Sequence, residues 1–195
     1  MSEPAVSVII PVLNEERFLK QSVQAILNQN YSGQLEIILA LGPSKDQTNV
    51  IAQELAKDQR IKLVENPSGR TAAALNKAIK NSNFDIIVRL DGHAIVDSSY
   101  IKNAVKTLIE SGADNVGGLM KAEGTNAFEK SVAAAMTSKF GVGNAPFHVG
   151  GKSGEVDTVY LGTFRKSALE RVGYFDESFI RAQDWEMNYR IRKTG

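Results

Sequence analysis

Asp91-Gly92-His93 puts a carboxylate and an imidazole two residues apart on a glycine turn. Both are oxygen or nitrogen donors suited to a divalent cation. The turn directly follows Phe84-Asp85-Ile86-Ile87-Val88 and Arg89-Leu90, an apolar run that reads as a strand, so both side chains project from that strand's C-terminal edge. Open α/β sheets bind ligands at this edge. Two protein ligands completed by diphosphate oxygens form an ordinary shell for Mg²⁺ or Mn²⁺, and the chemistry indicated is metal-diphosphate binding. An isolated Asp-x-His is more often a capped turn with a surface histidine. Here His93 is one of two histidines in the chain, and Asp91 closes a buried strand.

A second acidic pair stands in Gln183-Asp184-Trp185-Glu186-Met187-Asn188. Two residues apart on a helix, the acids point to different faces. Asp184, in the first turn, is the better candidate for a group aimed into a cleft, and Glu186 can remain solvated or pair with Arg190 one turn on. From spacing alone, charge complementarity with the helix N-terminus is the commoner reason for both acids, and Trp185 reads equally as core. Pro11-Val12-Leu13-Asn14-Glu15-Glu16 closes the first strand, with Pro11 stopping it, Asn14 as an N-cap, and Glu15 and Glu16 in the first helical turn. Asn66-Pro67-Ser68-Gly69-Arg70-Thr71 brings Arg70, whose planar fork suits a phosphate or a nucleobase, to the same edge. Neither a G-x-G-x-x-G in the first βα turn nor a Gly-Lys-Ser/Thr ending in Gly42-Pro43-Ser44-Lys45-Asp46-Gln47-Thr48 is present. A nicotinamide cofactor and a Walker loop are therefore disfavoured, and Ser44 or Asp46 caps the helix that follows.

The elements that must position these residues alternate in period. Strand-like runs at Val6 to Ile10, Leu35 to Leu41, Ile61 to Val64 and Phe84 to Leu90 are followed by helical stretches. Those stretches run over Glu15 to Gln29, Asp46 to Lys57, Thr71 to Lys80 and Ser98 to Ser111. Four βα units predict an α/β fold with a mostly parallel sheet and helices on both faces. Asn115 to Met120 then leads into an Ala-rich helix over Asn126 to Lys139. A glycine-rich stretch, Gly141 to Val156, has the length of an active-site lid or a surface excursion. A strand over Asp157 to Phe164 and helices over Lys166 to Val172 and Gln183 to Lys193 complete the chain.

With 195 residues, 43% hydrophobic and 23% charged, the chain suits a single domain spanning residues 1–195. A net charge of +1 with interspersed signs argues against a nucleic-acid partner. The absence of cysteine excludes disulfides, thiolate nucleophiles and Cys-ligated metals. The N-terminus lacks the pattern of a signal peptide, and no apolar run approaches the ~20 residues of a membrane span. A cytoplasmic location is expected.

Taken together, Val-Ser-Val-Ile-Ile-Pro-Val-Leu-Asn-Glu-Glu, Pro-Ser-Lys-Asp-Gln-Thr, Arg-Leu-Asp-Gly-His and Gln-Asp-Trp-Glu-Met-Asn-Tyr-Arg resemble the inverting glycosyltransferases of family 2. The likeness is to the bacterial succinoglycan-type branch, whose metal motif reads Asp-x-His. The resemblance implies a GT-A fold, a three-layer αβα nucleotide-sandwich of Rossmann-like build. It implies a nucleotide-diphosphate sugar donor, a divalent cation (Mg or Mn), and a saccharide or lipid-linked acceptor in polysaccharide or glycolipid synthesis. Carried over by position, Pro11, Asn14 and Glu15 contact base and ribose, Arg70 assists the nucleotide, Asp91 and His93 hold the metal, and Asp184 is the base. Two positions depart from the pattern. Leu41-Gly42 stands where family members commonly have a nucleotide-recognising Asp, and Gln183 replaces the Glu of a usual Glu-Asp pair. Family members generally continue into further segments that cover the acceptor side, often with membrane-associated helices. The expectation is thus a catalytic core or a fragment of one, at the inner face of the membrane in the longer protein. A non-catalytic nucleotide-sugar binding module is the alternative, and a nucleotidylyltransferase is disfavoured by the missing glycine-rich phosphate loop.

Overall fold

The structure, a computed structural model, describes residues 3–119, 127–136 and 154–195. In chain order the elements are β1 (Val6–Val12), α1 (Leu19–Leu27), β2 (Leu35–Leu41), α2 (Thr48–Leu55), β3 (Ile61–Glu65), α3 (Thr71–Lys80) and β4 (Ile86–Arg89). They continue with α4 (Tyr100–Ser111), β5 (Asn115–Gly118), α5 (Ala127–Met136), β6 (Tyr160–Arg165), α6 (Lys166–Arg171) and α7 (Gln183–Thr194). Of the glycine-rich stretch Gly141 to Val156 expected as a lid or excursion, residues 141–153 lie outside the described residues.

Among the described residues the strands form one sheet in the order β3-β2-β1-β4-β6-β5. β1 pairs in parallel with β2 and β4, and β2 with β3. β6 runs antiparallel to both β4 and β5. The period-2 alternation of β1 sorts its side chains onto two cores. Val6, Val8, Ile10 and Val12 meet α1, α2 and α4 through Leu19, Val23, Ile26, Ala52, Ile101 and Leu108. Ile9 faces the other layer, with Leu75 and Ile79 of α3, Leu169 of α6, and Met187 and Ile191 of α7. The expected three-layer αβα build is present, and each fully buried Ile or Leu contributes about 1.5–3 kcal/mol.

The chain order reverses at β1, which lies between β2 and β4. A crevice opens outside the carboxyl ends of strands at such a switch point. Pairing of β1 with β4 ends at Ile9 opposite Arg89, where the Leu90 N–H donates to the Ile9 carbonyl at 3.0 Å. Pro11 does not stop β1 as expected, because it stays paired opposite Ala40 of β2. Residues 9 and 11 share the β4-facing side of the strand, and β4 has ended by Pro11, so its missing N–H leaves no acceptor unpaired.

The other end of the seam is fixed by a buried carboxylate. Glu36 accepts hydrogen bonds from the Ser7 hydroxyl (2.6 Å) and from the backbone N–H (2.6 Å) and side-chain amide (3.0 Å) of Asn83. Lys62 adds an ion pair at 2.7 Å. One side chain thus ties β1, β2, β3 and the approach to β4, and so holds the register that presents Arg89 and Asp91 at the opposite edge. Burial pushes the Glu36 carboxyl up, and the bonds from Lys62, Ser7 and Asn83 outweigh it, leaving it below the ordinary 4.5. Such a group stabilises the fold fully above its unfolded pKa, and that contribution is lost as pH falls through the folded one. Glu36→Ala, which strands the Ser7 and Asn83 donors, is expected to cost about 3 kcal/mol near neutral pH by urea unfolding. The gap to wild type should narrow as pH falls below 4.5; a gap that is constant with pH would contradict the assignment.

Candidate active site

The first two βα loops are stitched to each other. The Asn14 N–H donates to the Ser44 hydroxyl at 3.0 Å, and the Asn14 Oδ1 accepts from the Lys45 N–H at 2.8 Å. The Glu15 N–H donates to Thr48 Oγ1 at 2.7 Å, and Glu16 exchanges bonds with Asp46 and Gln47. Asn14 adopts a left-handed backbone with φ of 56°, a region its short polar side chain tolerates. It therefore does not cap α1, which begins four residues later than expected, at Leu19. The donors that a cap would satisfy are bound across the loop junction. Asp46 receives the Thr48 N–H at 3.0 Å and closes the expected turn, but the N-cap position of α2 falls to Gln47, which makes no side-chain cap bond, rather than to Ser44 or Asp46.

The turn after β4 packs on the first loop. A Cβ at Gly92 would lie 2.8 Å from Glu15 Cγ, so glycine is needed for the close approach. The Ser22 hydroxyl donates to the Ala94 carbonyl at 2.8 Å, and the Ala94 N–H returns to the Asp91 carbonyl at 2.9 Å, which fixes the turn. Beneath it the Glu15 carboxylate meets His93 Nδ1 at 2.8 Å. A carboxylate on one ring nitrogen is how a metal-binding histidine is commonly oriented, with the other nitrogen presented to the ion. The Glu15 bond raises the His93 pKa against the opposing effect of burial.

Across the crevice, Arg89 gathers the two carboxylates singled out by sequence. Its guanidinium is buried, with Nη2 3.1 Å from Asp91 Oδ1 and Nη1 paired with Asp184. Burial lowers the Arg89 pKa, but Asp184 and Asp91 more than offset it, so it stands raised and the cation is secure. Asp184 is aimed by Ala182, whose φ of 58° turns the chain sharply into α7. Glu186 faces away and pairs with Arg190 at 2.5 Å, as its spacing predicts. Tyr160 borders the cluster. Burial first, then the charges of Asp91 and Asp184, push its phenol up to about 12.

Asp91 and Asp184 are thus brought together, and Glu15, Gly92 and His93 form an adjoining group. Pro11 lies half-buried in β1, and Asn14 is exposed at the loop junction. Arg70 stands at the start of α3, exposed, with Nη1 donating to the Glu177 carbonyl at 3.3 Å. Sequence reading passed over Arg89 as a site residue. The available signal was a charge closing an apolar strand, since buried arginines are rarely unpaired. Trp185 is not core: it is 55% exposed and stacks on Tyr189 with ring centroids 5.9 Å apart.

Among the described residues no three His, Asp or Glu side chains converge as a metal cage. The donor set nevertheless fits Mg²⁺ or Mn²⁺ bound jointly with a ligand. Only Oδ1 of the Asp91 carboxylate is hydrogen-bonded among the described residues, and His93 is held through Nδ1. One or two protein ligands suffice where phosphates and water complete the shell.

The raised His93 pKa gives a direct check. The Glu15–His93 pair stabilises the fold fully below the unfolded value near 6.5, and the contribution is lost as pH rises through the folded value. An NMR titration should place the His93 imidazole above 6.5, with Glu15→Gln bringing it down. An unchanged His93 titration in that variant would show that the contact does not exist in solution.

Comparison with known proteins bears on the family and the fold. The family model described as glycosyl transferase family 2 matches residues 7–173. The succinoglycan biosynthesis protein ExoA of Rhizobium meliloti (strain 1021) is 30% identical over 191 residues, 96% of this chain and 58% of the relative. A dolichyl N-acetyl-alpha-D-glucosaminyl phosphate 3-beta-D-2,3-diacetamido-2,3-dideoxy-beta-D-glucuronosyltransferase of Methanococcus voltae is 29% identical over 97% of this chain and 62% of its own length. The chain therefore spans about three fifths of these curated relatives. Among solved structures, the mannosyltransferase PcManGT of Pyrobaculum calidifontis, in complex with GDP-Man and Mn²⁺, superposes with a TM-score of 0.72 at 23% identity. That match covers 95% of this chain and 51% of the other. S. aureus TarS 1-349 in complex with UDP-GlcNAc gives 0.71 at 18% identity, over 98% and 53%. The fold is that of these GT-A enzymes, and the chain belongs to glycosyltransferase family 2.

Proposed function

We propose that the protein transfers a sugar from a nucleotide-diphosphate sugar to an acceptor hydroxyl with inversion at the anomeric carbon, assisted by Mg²⁺ or Mn²⁺. The observation that carries this reading is the convergence of Asp91 and Asp184 on one guanidinium, which puts a cation ligand and a proton acceptor at one crevice. In a single displacement the acceptor oxygen bonds to the anomeric carbon as the bond to the diphosphate oxygen breaks, and Asp184 takes the acceptor proton. When bound, the divalent cation offsets the negative charge that develops on the departing diphosphate. Asp91 and His93 are its protein ligands, with Glu15 orienting His93. Pro11, Asn14, Glu15 and Arg70 line the nucleotide side, and Arg70 offers a cation to phosphate or base.

The names of the relatives support the substrate class. PcManGT was solved with GDP-Man and Mn²⁺, TarS with UDP-GlcNAc, and ExoA is named for succinoglycan biosynthesis. The acceptor is a saccharide hydroxyl, free or lipid-linked, in polysaccharide or glycolipid synthesis at the cytoplasmic face of the membrane. No helix among the described residues is long and apolar enough to cross a membrane.

Two sets of variants test the roles. Asp184→Asn should lower transfer by roughly 10²–10⁴-fold while retaining nucleotide binding, whereas Glu186→Gln, which loses only its Arg190 pair, should cost far less. Equal losses would refute the choice of base, and binding without turnover in wild-type full-length protein would favour the binding-module alternative. Asp91→Asn and His93→Ala should each weaken Mn²⁺-dependent binding of nucleotide diphosphates by calorimetry, with circular dichroism unchanged. Metal dependence identical to wild type in both would remove the metal assignment.

A further inference from the structure

Arg89 does more in this site than neutralise a buried strand end. The fork is split, Nη1 toward Asp184 from the far end of the chain and Nη2 toward Asp91 two residues on. Its Nε is buried without a hydrogen-bond partner among the described residues. A guanidinium retained only for packing would be expected to satisfy that donor, or to be replaceable by an apolar chain of similar volume. Arg89 instead leaves one donor unused while presenting a terminal nitrogen to each of two carboxylates, one of which is a proposed cation ligand.

We infer that Arg89 is a positioning residue that couples the two halves of the site: it shares Asp91 with any divalent cation bound there and passes the change to Asp184. This rests on the Mg²⁺ or Mn²⁺ reading of Asp91. A cation taking Asp91 draws that carboxylate from Nη2, and the guanidinium then pairs more fully with Asp184. Arg89 divides its charge between the two and keeps both carboxylates on one guanidinium. The coupling is reciprocal, as any linkage through a shared group must be, so removing the charge of Asp184 shifts Arg89 toward Asp91 and opposes the cation.

The test is Mn²⁺ affinity, measured by water-proton relaxation on the chain and its variants with saturating UDP and, separately, GDP present. Removing a positive charge adjacent to Asp91 should tighten Mn²⁺ binding roughly tenfold in Arg89→Met, whereas a purely structural arginine would leave it unchanged or weaken it. Arg89→Gln is a second neutral variant that keeps polar contact with both carboxylates and should shift affinity the same way; thermal unfolding identifies whichever variant is folded. Arg89→Lys keeps the charge but has no fork, so its Mn²⁺ affinity should stay near wild type. In full-length enzyme its kcat should fall with donor KM little changed. Asp184→Asn should weaken Mn²⁺ binding more when made in the wild-type chain than when combined with Arg89→Met. Equal Mn²⁺ affinity in wild type and the folded neutral variants, or an Asp184→Asn effect independent of the residue at position 89, overturns the coupling alone. Failure of wild type and every neutral variant to bind Mn²⁺ with either nucleotide present overturns the metal reading, and the coupling with it.

Discussion

A buried guanidinium at the end of a strand has to be paired. Leaving such a charge without partners costs several kcal/mol, and Arg89 sits where the seam between β1 and β4 gives way to the crevice. One partner comes from the same turn. The other comes from α7, and the packing of that helix explains why it arrives correctly aimed. Asp184, Met187, Asn188 and Ile191 fall at helical spacings of three, four and seven, so they share one face. Met187 and Ile191 are drawn into the second core beside α3 and α6, and their burial rotates Asp184 toward the sheet. Hydrophobic packing thereby fixes the orientation of a polar group that the helix carries at its exposed first turn.

The same rotation explains the opposite face. Trp185 and Tyr189, one turn apart, are turned outward and stack on each other, while Lys193 lies over the Tyr189 ring at 4.8 Å. Glu186 and Arg190 close a local pair, and Arg190 also donates to the Tyr174 carbonyl at 2.8 Å. Residues 183–190 thus separate into a face toward Arg89 and the core, a structural ion pair and an exposed aromatic stack. The separation of Asp184 from Glu186 could be read from spacing, because helical geometry is local. The fate of Trp185 could not, because it depends on what the remainder of the fold places against it.

The same division between local and distant causes runs through the fold. Strands and their helices were legible because burial on both faces imposes apolar runs, and amphipathic periods mark the covering layers. The start of α1 was not: Asn14 has the chemistry of an N-cap, but its amide and backbone are engaged by Ser44 and Lys45 thirty residues on. Pro11 was misread for a similar reason, since the cost of a proline in a sheet depends on whether a neighbour faces it, and β4 has already ended there. Asp91 and Asp184 could be named individually from motif and helix position. That they share Arg89 is a tertiary fact, set by the antiparallel placement of β6 beside β4 and the docking of α7.

The three crowded loops at the switch point constrain how a nucleoside can be held. Gly42 lies close enough to its neighbours that an added Cβ would fall 3.0 Å from Leu13 Cδ1 and 3.4 Å from the Gly69 Cα, and Gly69 itself has a φ of 64°. A Cβ at Gly42 would make Leu13 and the Val12 carbonyl give by a few tenths of an ångström, and one at Gly69 would be strained by the left-handed backbone. Leu41, in the place where the family pattern commonly has a carboxylate, packs against the apolar core shared with β1. A nucleoside seated at this edge would therefore meet backbone groups of a tight glycine junction and the cation of Arg70, with no acid from the end of β2. The Asn14–Ser44–Lys45 bonds hold the first two loops together and so fix the shape of that edge.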